Sequence, residues 1–372
     1  MAAKPKKPKA EKVEKAPEAK GPPAPQLPGN LPKDLTDLLQ KIPAKDFQDA
    51  VPVIKALVEK GPEAVVQLVG AVGDEFGDPL GVLPKYALHG MVHYASRPGM
   101  EPQRKMLAET LAKQLEARRS VELRAFLCRQ LQLCGRPAEV GPLAKLLAEA
   151  ELCEPAAQAL CAIGGPEATD ALREALPKAQ GKQRATLLSA LGRLRDPGAA
   201  QEARKSLADG EPDQRWVAWY AAANAGDAES AETLLKVAET TESPYLRSQA
   251  ADACLRLARR LAELGKPAEA QKVLRQLAER RKDPADAHDR TAILEAFVQA
   301  LGVKAAPDVL AALESDSLRL RHAAATIAVD LARSIRKEHP AEAQKVLEKV
   351  LVATKDEAVR QQAELLLGKH GK

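Results

Sequence analysis

Aromatic residues are scarce in this chain: two Trp, four Tyr and four Phe make up 3% of 372 residues. β-Sheet cores draw on Val, Ile, Thr and aromatics, and no segment is rich in that set. Sheet-based folds are therefore disfavoured. No stretch approaches the roughly 18 consecutive apolar residues that a membrane-crossing helix needs. The N-terminus is charged, but no apolar segment follows it of the kind that marks a secretory signal. A Gly-rich phosphate loop and a Gly-x-Ser-x-Gly elbow are both missing, which removes the usual signatures of nucleotide binding and serine hydrolysis. Cysteine is limited to Cys128, Cys134, Cys153, Cys161 and Cys254. An odd number without a secretory signal points to reduced thiols inside a cell, and the chain reads as cytoplasmic. The cysteine spacings fit no standard zinc site, so these side chains are expected to act as small core hydrophobes.

Excess charge is also missing from most of the chain. The formal net charge is +5. Residues 1–20 hold seven Lys and three Glu and account for +4 of it, leaving +1 for the other 352 residues. A dedicated nucleic-acid binder carries its excess on the folded body. Residues 1–30, rich in Lys, Pro, Ala and Glu, have too little apolar surface to offset the entropy of ordering and are expected to be a disordered tail.

What the sequence does contain is Ala and Leu. Apolar residues make up 45% of the chain, and these two are the strongest helix formers. From residue 31 the pattern is helical. One frame recurs: Arg-x-x-ϕ-ϕ-x-ϕ-ϕ, with ϕ small or apolar. It begins at Arg124, Arg184, Arg215, Arg247, Arg290 and Arg321, and a copy without the Arg begins at Cys153. The ϕ sites lie on one helix face. The starts at 124, 153, 184, 215 and 247 are spaced by 29, 31, 31 and 32 residues. Such a period is the signature of stacked supersecondary units. Gly135, Gly164 and Gly226 each follow a frame start by eleven residues, where a left-handed helix cap is expected. Pro137, Pro166, Pro197 and Asp227 then open a second helix. The octapeptide PAEAQKVL occurs at 267–274 and again at 340–347, which indicates duplication.

These units resemble the HEAT-repeat superfamily, and in particular the short phycobilisome-lyase HEAT-like repeats. LCEPAAQALCAIGGPEATDALREAL (152–176) carries the likeness best, and residues 211–238 follow it. The resemblance is good over about 119–240 and looser from there to 372, where the units lengthen and one also looks like half a tetratricopeptide repeat. The expected fold is an all-α superhelix: a tail over 1–30, a divergent helical cap over 31–118 and a HEAT-like solenoid over 119–372. The resemblance implies that each frame Arg pairs with an acid of a neighbouring unit. It also implies that second helices, at 137–149, 166–177, 198–208, 228–238, 267–281 and 340–353, line a concave face. Deoxyhypusine hydroxylases share the fold but hold two irons with repeated His-Glu pairs, and no His-Glu dipeptide occurs here. Trp216, Trp219 and Tyr220 invite comparison with HEAT-like DNA glycosylases, but Trp219 occupies a ϕ site. It is therefore expected in the core, with Trp216 more exposed.

The function expected is a non-enzymatic scaffold that binds another protein or peptide, as a monomer, with no cofactor and no membrane. Glu269, Lys272, Arg275 and Glu279 share one polar face of a second helix. Their mixed charges suit a protein partner better than a polyanion. A nucleic-acid binder assisted by the basic tail is the first alternative. The second is an enzyme with a metal at His89 and His93, which stand four apart on a helix. Asp74, Glu75, Asp78 or Glu101 would have to supply a third ligand.

Overall fold

The computed structural model describes residues 27, 29, 31–43, 46–73, 78–115, 118–207, 212–240, 243–281 and 287–368. The tail expectation for residues 1–30 falls almost entirely outside these. The described secondary structure is α-helix with short 3-10 turns, as composition predicts. The chain separates into two compact units, Met1–Met91 and Val92–Lys372.

The first unit holds α1 (Lys33–Leu39), α2 (Phe47–Glu59), α3 (Gly61–Val72) and most of α4 (Val82–Ala95). Asp46 caps α2 by accepting the Asp49 N–H at 2.9 Å. Leu57, Val65, Leu68, Val69 and Leu88 are buried in its interior. Gly81 is required where the chain turns into α4, because a Cβ there would stand 2.4 Å from the Val72 carbonyl oxygen.

The second unit begins with α5 (Glu101–Leu115) and continues as helix pairs. They are α6 (Val121–Cys134) with α7 (Val140–Leu146), α8 (Cys153–Ile163) with α9 (Gly165–Ala175), and α10 (Gly181–Arg193) with α11 (Ala200–Lys205). Next come α12 (Pro212–Ala225) with α13 (Ala231–Thr240) and α14 (Pro244–Glu263) with α15 (Pro267–Arg280). Last are α16 (Ala287–Leu301) with α17 (Ala306–Leu313), α18 (Leu318–Ile335) with α19 (Pro340–Ala353), and α20 (Glu357–Leu366). First helices stack on first helices, α6 on α8 and so on to α18, and second helices such as α7, α11, α13 and α17 pack on the first helix of the following pair. This is an α-α superhelix of helical repeats.

The Arg frame predicts the interior of this stack. All four ϕ sites are buried in every copy, from Leu127, Cys128, Gln130 and Leu131 in α6 to Ala324, Ala325, Ile327 and Ala328 in α18. Both PAEAQKVL copies open second helices with Pro in the first turn, and each buries the same Ala, Val and Leu. Small residues set the closeness of the first helices. A Cβ on Gly192 would lie 2.9 Å from Ala221 Cα, so α10 and α12 approach backbone to backbone.

Two expectations need correction. Gly164 and Gly226 take positive φ, but Gly135 has φ −58° and is extended. It is glycine for closeness, since its Cβ would meet the Leu131 carbonyl oxygen at 2.5 Å and the Ile163 side chain at 2.9 Å. The corresponding left-handed site in the repeat that lies between is Arg195, at φ 55°. The frame arginines also pair differently from what the resemblance implies. Arg124 holds Glu149 through two hydrogen bonds of 2.8 and 2.7 Å, and Arg184 holds Glu202 at 2.8 Å. Both acids lie at or just beyond the second helix of the same pair, so the frame Arg closes its own hairpin. Arg184 and Lys205 together hold the Glu202 carboxyl below the usual range, the Lys205 hydrogen bond being the larger cause.

The stretch His288–Leu313 is long and apolar enough to cross a membrane by length and composition alone. It is two helices, not one. The 3-10 turn Gly302–Ala305, with Gly302 at φ 55°, separates α16 from α17, which pack on each other and on α18.

Candidate partner-binding cleft

Helix α15 is amphipathic. Ala270, Val273, Leu274 and Leu277 turn inward. That leaves Glu269, Lys272, Arg275 and Glu279 on the opposite side, and all four are exposed. Glu269 makes a loose pair with Lys266 at 3.8 Å. The next residue, Arg280, is tied back to Glu232 and Glu239 of α13 at 3.4 and 3.1 Å. It anchors the C-terminal end of the helix, so Arg275 and Glu279 project from a fixed base.

Those two residues line a cleft of about 860 Å³; Glu269 and Lys272, nearer the start of α15, do not. The cleft opens between α15 and α17, successive second helices that do not pack closely on each other, whereas α17 and α19 do. Ile293, Leu294 and Phe297 of α16 and Leu320 of α18 form the apolar floor. Arg275 and Glu279 of α15, Arg290 of α16, Asp308 of α17 and the turn Glu314–Ser317 supply polar groups around it.

These polar groups are unequally satisfied. Lys349 of α19 pairs with Glu314 at 2.7 Å, and that hydrogen bond holds the Glu314 carboxyl below the usual range. Arg290 reaches Ser315 Oγ at 3.5 Å, and Arg321 donates to the Ser315 carbonyl. Both arginines therefore organise the turn. Asp308 sits in the first turn of α17, where an acid favours the helix dipole. Among the described residues its Oδ2 is buried without a hydrogen-bond partner. Among the described residues the lining offers apolar contact, two guanidinium groups and four carboxylates.

His89 and His93 are exposed on α4, and each has an interaction partner. The acids that sequence offered as a third ligand are used locally or lie elsewhere. Asp78 accepts from the Leu80 N–H at 2.9 Å, and Glu101 accepts from the Gly99 N–H at 3.2 Å. Asp74 and Glu75 fall outside the described residues. Among the described residues no group of three or more His, Cys, Asp and Glu is arranged to hold a metal.

The tryptophans part as the frame predicts. Trp219 is 1% exposed, whereas Trp216 is 43% exposed and lines a shallow groove over α8, α10 and α12. The cysteines lie in the repeat interior, with Cys161 alone half-buried. Desolvation pushes Cys128, Cys134 and Cys254 up to about 12 and Cys153 to about 11, and it raises Cys161 as well. The thiolate is the reactive form. Near neutral pH a maleimide should therefore label Cys161 slowly and faster as pH rises, and should reach the other four only after unfolding. Peptide mapping by mass spectrometry checks this. Labelling of Cys128 or Cys254 as fast as Cys161 in the native protein would show that the repeat stack opens.

No protein-family model matches the chain, and a search of curated proteins gave no significant match. Among solved structures the chain is similar to yeast importin-β (Kap95p), at 10% identity and TM-score 0.47 over 90% of this chain and 52% of that one. It thus spans about half the length of that protein. It is also similar to Kap121p bound to Ste12p, at 15% identity and TM-score 0.49 over 91% of this chain and 41% of the other. A third similar structure is the CpcE–CpcF complex of phycocyanin lyase from a Nostoc species, at 20% identity and TM-score 0.34 over 72% of this chain and 98% of that chain. All are distant likenesses of helical structure.

Proposed function

We propose that the protein is a non-enzymatic interaction scaffold that binds a segment of another protein in the cleft between α15 and α17. The observation that carries this reading is the cleft of about 860 Å³ between α15 and α17, where Ala278, Ala311, Ala312 and charges of both signs lie over the buried side chains of Ile293, Leu294, Phe297 and Leu320. Interfaces of this type place apolar anchors at the centre and polar groups at the rim. Mixed charge gives register and specificity to a protein partner, and it repels stretches of a uniform polyanion. The cleft belongs to the layer of second helices, which the HEAT-like resemblance implies is concave.

The test is site-specific photocrosslinking in cells that make the protein. A photoreactive residue at Arg275 or Glu279 should capture one defined protein, and the same residue at Glu357 on α20 should not. With that partner in hand, Arg275→Glu should weaken its binding by about tenfold or more, the loss expected for a rim charge next to a buried anchor. The melting temperature should stay put, because Arg275 is exposed. Equal capture at all three positions, or no adduct at Arg275 and Glu279, would dispose of the cleft as the binding site.

A further inference from the structure

Arg195 holds a backbone conformation that the flanking repeats give to glycine. It stands eleven residues after its frame start, as Gly164 and Gly226 stand after theirs. All three have positive φ: 66° at Gly164, 55° at Arg195 and 76° at Gly226. A side chain in the left-handed region is strained where glycine is not. Such an outlier persists only where its surroundings hold it, and it points to a task for the side chain.

The Arg195 side chain reaches past a whole repeat. Its Nη1 donates to Glu263 Oε2 at 2.6 Å, at the end of α14 and 68 residues further on. In the row of pairs, α12 and α13 lie between the two ends of this bond. Arg260 donates to the same carboxylate oxygen at 3.1 Å, so three charges form one network. The reach depends on the length of α14. Helices α10, α12 and α14 each begin three residues before their frame Arg, but α14 has 20 residues against 13 and 14. Its surplus is therefore all at the C-terminal end. That end closes over the turn after α12, where a Cβ on Gly226 would collide with Leu264 Cδ1 and stand 3.2 Å from Arg260 Cγ. Three successive turns are gathered under one helix end.

We infer that Arg195, Glu263 and Arg260 form a brace that fixes the curvature of the stack from α10 to α14 and that salt releases. In a repeat array each unit contacts only its neighbours, so small rotations at successive interfaces accumulate along the row. The apolar stack keeps α10, α12 and α14 side by side but leaves those rotations cheap. A tie that skips a unit couples the two interfaces, because its ends part when either one opens. An exposed ion pair adds little to the folding free energy; here it acts on a soft motion instead. Arg195 and Glu263 are each half exposed, so the brace is open to screening. Because α14 turns directly into α15, the brace also steadies one wall of the cleft.

Double electron–electron resonance between nitroxides at Glu167→Cys and Ala268→Cys reads the motion. Both sites are exposed, in the first turns of α9 and α15, one before the brace and one just past it. The full chain is used with Cys161→Ser, the other four cysteines being buried. At about 0.01 M salt, where the Debye length is roughly 30 Å, the distance distribution should be narrow. At about 1 M salt, where that length is roughly 3 Å, the distribution should widen and its mean lengthen. Glu263→Gln leaves the backbone at Arg195 as it is. It should give the wide distribution already at low salt, and added salt should change nothing further. Arg195→Gly should do the same while melting no lower than the parent, because it relieves the left-handed strain. Distributions in both variants as narrow as the parent's at low salt, or a parent distribution that salt leaves unaltered, would overturn the brace. So would a wide distribution in Arg195→Gly alone, which would be the flexibility of glycine and not the loss of the ion pair.

Discussion

Trp219→Ala should unfold at a much lower denaturant concentration than the parent, by an amount equal to roughly 3–5 kcal/mol, the range for deleting a large aromatic from a core. The indole is the largest fully buried side chain in the described structure. It fits because the residues around it on the frame are small: Ala218, Ala221 and Ala222 are all buried. Alanines on the same helix cannot extend into the space left by its removal, so much of the cavity should persist. The indole N–H also donates to the Leu207 carbonyl at 3.2 Å, satisfying a backbone acceptor just past α11. Trp219→Phe keeps most of the volume but strands that carbonyl, and should cost about 1–3 kcal/mol. Trp216→Ala, one residue after the frame Arg, should cost under about 1 kcal/mol, as a surface substitution does. Because these are the two Trp of the chain, Trp216→Phe turns Trp219 fluorescence into a reporter for this seam. In a repeat array each unit contacts only its neighbours, so hydrogen exchange in the Trp219→Ala variant should rise most in α10 to α14. A variant as stable as the parent would move Trp219 out of the core.

The first-helix layer was legible because burial repeats at the helix period and the repeats share one frame. Leu187, Leu188, Ala190 and Leu191 can be placed inward from spacing alone. The second helices were legible in position, through Pro137, Pro166 and Pro197, but not in form. Four of them enter through 3-10 turns, Pro137–Glu139, Pro197–Ala199, Ala228–Ser230 and Gly302–Ala305, before the α-helix starts. Sequence marks where such a segment begins, not which hydrogen-bond pattern its first turn adopts. The partner of a frame Arg was not legible either. Acids are plentiful 18 to 30 residues on, and only the crossing of the two helices decides which one Arg124 meets. At the cleft, Arg275 and Glu279 were readable as one exposed face. Asp308 was missed, because an orphaned oxygen is a property of three dimensions.

Arg173→Met should destabilise the protein by about 1–3 kcal/mol, below the 3–5 kcal/mol for breaking a fully buried pair because the guanidinium is half in water. Arg173, on α9, holds Asp196 with two bonds, Nε to Oδ2 at 3.2 Å and Nη2 to Oδ1 at 2.6 Å. Asp196 belongs to the next pair, in the turn after α10, and its side chain is 3% exposed against 45% for Arg173. The geometry depends on Gly198, whose Cβ would lie 2.5 Å from Arg173 Nε. The same rung recurs 31 residues later, where Arg204 of α11 meets Asp227 at 3.4 Å in the turn after α12. Between α5 and the turn after α6 the signs are inverted: Glu109 meets Arg136 at 3.1 Å. So an inter-repeat acid–base tie exists here on the second helix, whereas the frame residues Arg124 and Arg184 find their acids within their own pairs. The bond to Asp196 raises the Arg173 guanidinium above its ordinary value, as expected when the charged form is the one held. The two partners should respond unequally. Arg173→Met leaves a carboxylate buried and uncompensated. Asp196→Asn leaves a guanidinium that water can still reach, and should cost less. The double variant should be more stable than additivity predicts, because removing Asp196 relieves the orphaned charge. Urea midpoints for the three variants decide it. Equal single costs with an additive double would mean the rung contributes geometry only, and the repeats would be held together by the apolar stack of first helices alone.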